Sequence, residues 1–118
     1  QDWMMADLVT RVGQCVVPLS AISGVSLTVA QVALSLGAPS PRRALADRIG
    51  LTVVLRDLCR RRHPVELIVR GGSLRGTIDR VGRDHLDVAL HEPGTARRDD
   101  VVSEVRLVPF DALVLVVI

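Results

Sequence analysis

The sequence predicts a mainly β protein: small antiparallel barrels in tandem, with one long helix between them and the first barrel truncated. Three observations carry this. A strand–strand pattern near the start recurs near the end, at an offset that grows from 82 to 91 residues. A helix with local start and stop signals lies between the two copies. Five short runs of apolar and polar residues, separated by tight turns, follow that helix.

The repeat is read directly. Asp2, Met4, Ala6 and Leu8 align with Asp84, Leu86, Val88 and Leu90. Val17-Pro18-Leu19-Ser20-Ala21-Ile22 aligns with Val108-Pro109-Phe110-Asp111-Ala112-Leu113, and a β-branched tail follows both. The nine extra residues of the second copy fall within His91–Ser103, where Pro93-Gly94 and Arg97-Arg98-Asp99-Asp100 mark a loop. The competing reading makes residues 1–28 three edge strands of one larger sheet. A helix and a hairpin, residues 41–81, precede the second copy and nothing comparable precedes the first. The chain is therefore expected to be the carboxyl part of a longer protein.

Element by element, Trp3–Val9 suits a strand and Arg11-Val12-Gly13-Gln14 a tight turn. Cys15–Leu19 and Ala21–Thr28 suit two more strands, rich in β-branched residues. Val29–Ala38 fits strand extension, a short helix or a linker equally well. Ser40-Pro41 starts a helix, with Ser40 as N-cap and Pro41 at the first helical position. Arg60-Arg61-Arg62 suits the negative end of the helix dipole, and Pro64 ends it. That helix is expected from Pro41 to Arg62. Leu45, Ile49 and Val53 lie on one side, with Leu51, Val54, Leu55 and Leu58 opposite. Either Gly50 breaks the helix or two repeats grip it from both sides, and the two-sided pattern favours the grip. Strands follow at Val65–Arg70, Leu74–Val81, Asp84–Leu90, Glu104–Phe110 and Asp111–Ile118, with a hairpin turn at Gly71-Gly72-Ser73. Residues 1–38 thus form the last three strands of a truncated barrel plus linker. Residues 39–118 form the helix and a five-stranded barrel, whose closure hides the apolar edge Leu113–Ile118.

The pattern Leu67-x-Val69-x-Gly71-x-x-Leu74-x-Gly76-x-Ile78-x-x-Val81 resembles the first half of the signature of Sm-like and other SH3-like small barrels. In that signature a bent second strand needs glycine where it curves. The resemblance covers residues 41–118, and a helix before the first strand suits it. Departures are specific. Gly82 and Leu86 occupy the places of the Asp and Asn that help form the family's RNA loop. Pro109-Phe110-Asp111-Ala112 replaces its Arg-Gly loop, so the usual RNA site is not implied. The layout with Val-Pro-apolar-x-Ala ending each copy also resembles a tandem-barrel family from GC-rich Gram-positive bacteria. That resemblance implies a fold and supplies no activity.

Composition narrows the function classes. The 118 residues suit one ordinary domain or two very small ones. A hydrophobic content of 48% with a formal net charge of +2 excludes disorder. Two isolated cysteines, Cys15 and Cys59, exclude a disulfide scaffold. No metal-spaced Cys/His cluster, phosphate loop, nucleophile elbow or cofactor motif occurs, so no cofactor, metal or small-molecule substrate is expected. The uncharged stretch Val12–Pro41 is interrupted by Pro18, Gly24, Gln31 and Gly37, which argues against a membrane span. No charged leader followed by an apolar core opens the chain, so a cytoplasmic location is expected.

Chemistry is sparse. His63, His85 and His91 suit structural places, and Asp84 suits a turn. Cys59 suits the core. Cys15 aligns with Arg106, an outward position, and is expected to be partly exposed. No nucleophile, base and orienter come together, and no catalytic residue is expected. All 15 cationic residues are arginines, and residues 41–63 carry seven of them against two aspartates. Arg56, Arg60, Arg61, Arg62, Arg97 and Arg98 are therefore candidate anion or nucleic-acid contacts. Trp3 and Phe110 are the only aromatics, which removes a base-stacking platform. The leading expectation is a non-enzymatic binding or assembly module, with RNA binding through the arginines as the alternative. Its expected partner is a second copy of the chain (as a homo-oligomer or by strand completion) or an amino-terminal segment, because the first copy leaves a raw sheet edge.

Overall fold

A computed structural model describes residues 2–9, 13–35 and 49–118. These residues form one mainly antiparallel sheet. In chain order the elements are β1 (Trp3–Asp7), β2 (Gln14–Pro18), a 3₁₀ turn (Leu19–Ala21), α1 (Val29–Ser35), α2 (Leu51–Arg60), β3 (Pro64–Val69), β4 (Gly72–Val81), β5 (His85–Leu90), β6 (Glu104–Pro109), a second 3₁₀ turn (Phe110–Ala112) and β7 (Leu113–Val117). The seven strands are ordered β1-β2-β7-β3-β4-β5-β6.

The five strands after α2 form a continuous run, β7-β3-β4-β5-β6. A flat run would place β6 roughly 19 Å from β7, at about 4.8 Å per strand. Yet only the turn Phe110–Ala112 joins them, a connection reaching at most ~14 Å when fully extended. The sheet must therefore curl strongly. β4 makes this curl feasible: it has 10 residues, its register with β5 shifts between Ile78 and Arg80, and Gly76 sits against β5. A Cβ on Gly76 would lie 2.0 Å from the Ala89 carbonyl oxygen, so only glycine permits this approach.

The concave face is filled by alternate residues. Val65 and Leu67 of β3, Leu74 and Ile78 of β4, Leu86 and Val88 of β5 are buried, as period-two alternation requires. α2 lays Leu51, Leu55 and Leu58 against this core, and Val54 and Cys59 pack partly against it. Those positions form a single helical stripe.

The helix corrects the sequence reading. Its N-cap is Gly50, in extended conformation at φ −79° and ψ 163°, so the helix begins at Leu51 rather than continuing from upstream. The two-sided grip also fails, since Val53 is 49% exposed. Ser40, Pro41 and Leu45 lie outside the described residues. The far end follows expectation. Arg62 takes φ 53°, its N–H donates to the Cys59 carbonyl at 3.1 Å, and the His63 N–H donates to the Leu58 carbonyl at 3.2 Å. This is a Schellman closure that places His63 and Pro64 at the entry to β3.

Two further expectations change. Ala21–Thr28 is not a strand: after the first 3₁₀ turn, residues 22–28 form no ladder. Within the open Val29–Ala38 reading, a short helix is the outcome. Thr28 and Gln31 cap α1 reciprocally, Thr28 N–H to Gln31 Oε1 at 2.8 Å and Gln31 N–H to Thr28 Oγ1 at 3.2 Å. Among the described residues, no helix is long and apolar enough to cross a membrane.

Candidate functional site

The six arginines singled out from the sequence mostly meet carboxylates. Arg60 and Arg61 pair with Asp57 at 3.5 and 2.7 Å. Arg97 donates through Nε and Nη2 to both oxygens of Asp79, each at 2.9 Å, and also pairs with Asp99. Arg62 approaches Asp79 at 3.5 Å, and Arg98 approaches Asp100 at 3.6 Å. The hydrogen bonds to Asp79, then Asp99, raise the Arg97 pKa above its ordinary value. Through Asp79, Arg97 ties the His91–Ser103 loop to β4 and Arg62 ties the end of α2 to it, whereas the Arg60, Arg61 and Arg98 pairs stay within the helix or the loop. They do not form one uncompensated cationic surface. Arg56 is exposed on α2.

The histidines take structural places. His91 is buried and shares a 2.8 Å hydrogen bond between Nε2 and Thr77 Oγ1, anchoring the start of the loop. Thr77 is buried as well. His85 Nδ1 lies 2.7 Å from Asp84 Oδ1, and this hydrogen bond lowers the Asp84 pKa. Among the described residues, no group of three or more His, Cys, Asp or Glu could hold a metal.

What stands out is an edge. The sequence repeat is also a structural repeat. β1 and β2 pair Trp3↔Pro18, Met4↔Val17, Met5↔Val16, Ala6↔Cys15 and Asp7↔Gln14. β5 and β6 pair His85↔Pro109, Leu86↔Val108, Asp87↔Leu107, Val88↔Arg106 and Ala89↔Val105. Under the sequence alignment these are the same five pairs. Each copy ends in a 3₁₀ turn closed the same way: Leu19 N–H donates to the Asp2 carbonyl and Phe110 N–H to the Asp84 carbonyl, both at 2.8 Å.

The copies differ in what lies beyond their second strand. β7 lies along β2, pairing Val117 with Cys15 and Val116 with Val16, and the Ile118 N–H donates to the Gln14 carbonyl at 3.0 Å. Cys15 is 2% exposed, which corrects the expectation of a partly exposed thiol. Val16 is 0% exposed and belongs to the main core. The corresponding edge of β6 ends the sheet. Leu107, the counterpart of Val16, is 58% exposed, and Val105 is 56% exposed. Because Phe110 bonds inward to β5, antiparallel alternation turns the N–H and C=O of Val105 and Leu107 outward. Neither residue was singled out from the sequence. The signal was there in the alignment of Leu107 with Val16, but the cover over Val16 comes from a strand a hundred residues away. No protein-family model, curated protein or solved structure matches the chain.

Proposed function

We propose that the chain is a non-enzymatic assembly module of SH3/Sm-like small-barrel repeats, and that it binds by taking a partner strand onto the free edge of β6. One observation carries this reading: the same edge of the other copy is occupied, by β7 on β2. An exposed edge offering two outward pairs of N–H and C=O groups beside Val105 and Leu107 is a template for strand addition. The carboxylates beside Arg60, Arg61, Arg62, Arg97 and Arg98 weigh against the nucleic-acid alternative.

The test uses the strand that covers the twin edge. A peptide of residues 112–118 with a lysine tail is titrated into the chain while amide exchange is followed. Slower exchange at Val105 and Leu107 supports the reading. No change at about millimolar peptide overturns it. Salt-sensitive binding of mixed RNA that disappears in the Arg60/Arg61/Arg62→Ala variant would install the alternative instead.

A further inference from the structure

We infer that the occupant of the β6 edge is residues 22–28 of a second copy of this chain, added antiparallel in a register fixed by the repeat. The inference rests on the strand-addition reading above and names its partner.

Two unpartnered features lie on the same chain, and the repeat makes them complementary. The first is the β6 edge. The second is the segment after the first 3₁₀ turn. It occupies the place that β7 holds after the second turn, so Ile22, Val25, Ser26 and Leu27 correspond to Leu113, Val116, Val117 and Ile118. Here the segment has no ladder, and Val25 and Leu27 are 72% and 53% exposed. β7 covers the edge of β2; its counterpart is the piece of this molecule shaped to cover the counterpart edge. Both edges of β7 itself are already taken, by β2 and β3, which leaves residues 22–28 as the free equivalent.

The β2–β7 pairing transfers directly. Cys15↔Val117 and Val16↔Val116 become Arg106↔Ser26 and Leu107↔Val25 of the second copy. The Ile118 N–H to Gln14 carbonyl bond becomes Leu27 N–H to Val105 carbonyl. Leu107 then loses its exposure as Val16 has, and Val25 covers it. The contact joins different surfaces of the two copies, so it propagates head to tail into a ring or an open chain.

The experiment is disulfide trapping in a Cys59→Ala background. One chain carrying Val25→Cys is mixed with one carrying Leu107→Cys under mild oxidation. The expected result is a mixed dimer, at least about tenfold more abundant than when Val25→Cys is mixed with Val105→Cys, which is out of register. A chain bearing both Val25→Cys and Leu107→Cys should give a ladder of multimers. Sedimentation of the cysteine-unmodified chain should show association that Leu107→Glu weakens by about tenfold or more with an unchanged far-UV spectrum. No mixed dimer, equal trapping out of register, or a cross-link confined within one chain each overturns the inference. Failure of trapping while the 112–118 peptide still protects Val105 and Leu107 would sink this partner alone. Failure of both sinks the strand-addition reading with it.

Discussion

The two copies of the strand–strand–turn unit share their internal register and differ in which side is covered. In the first copy, β7 covers the outer edge of β2, and the outer edge of β1 ends the sheet. In the second, β4 covers the outer edge of β5, and the outer edge of β6 ends the sheet. Internal pairing is thus set locally, by sequence the copies hold in common. Burial is set by what arrives from elsewhere in the chain. Leu86 and Val88 are buried, whereas their counterparts Met4 and Ala6 are exposed or partly so. Val16 is buried, whereas Leu107 is exposed. A repeat therefore specifies a unit, and context decides which face of that unit becomes core.

The largest effect should come from breaking the cover over the second copy. In Gly76→Ala the new methyl group meets the Ala89 carbonyl, a backbone atom that cannot swing aside. Relief requires β4 and β5 to separate, undoing the pairing Gly76↔Leu90 and its neighbours. The expected loss is about 3 kcal/mol or more, a severe fraction of a small domain's stability, read by urea denaturation. A loss under about 0.5 kcal/mol would mean that the approach of β4 to β5 is looser than described.

The next comparison sets the equivalent edge residues side by side. Val16→Ala removes two methyl groups from a fully buried site and should cost about 2 kcal/mol. Leu107→Ala removes more carbon from an exposed site and should cost under about 0.5 kcal/mol when the chain is dilute. Raising the protein concentration should widen the Leu107→Ala deficit if association covers that residue. A deficit that stays constant with concentration would leave Leu107 as plain surface.

How much of this could be read in the sequence follows the same division. The repeat offset located β1, β2, β5 and β6 and their relative register, because each of these strands pairs with a neighbour close along the chain, the most distant partners being His85 and Pro109. The pattern around Gly76 located the bent strand. Nonlocal cover was illegible. Cys15 looked outward because its counterpart is Arg106, yet it is buried, in a strand paired on both sides, by β1 and β7. Residues 22–28 have the composition of a strand, but β propensity needs a neighbouring strand to act on. The break in the helix at Gly50 has a related reason. Leu51 begins α2, and the side chain that accepts its N–H is Asp2, 49 positions away.

That cap supplies the smallest and most discriminating prediction. Asp2 Oδ1 accepts the Leu51 N–H at 2.8 Å, and Trp3 Nε1 donates to the Ile49 carbonyl at 2.7 Å. Together they fasten the first copy to the start of α2. Their counterparts, Asp84 and His85, bond each other instead, and Asp84 is exposed. Asp2→Ala should therefore cost about 1 kcal/mol, the usual cost of losing a helix cap, and should speed amide exchange at Leu51. Asp84→Ala should leave Leu51 exchange unchanged. The Asp84–His85 contact holds the carboxyl below its ordinary pKa, so its contribution is present at neutral pH. It is lost only as the pH falls through that lowered value. Equal effects of the two substitutions on Leu51 would show that the aspartates act alike through their turns. Unequal effects would show that the same aspartate, in the same register, became a helix cap only where a helix was delivered to it.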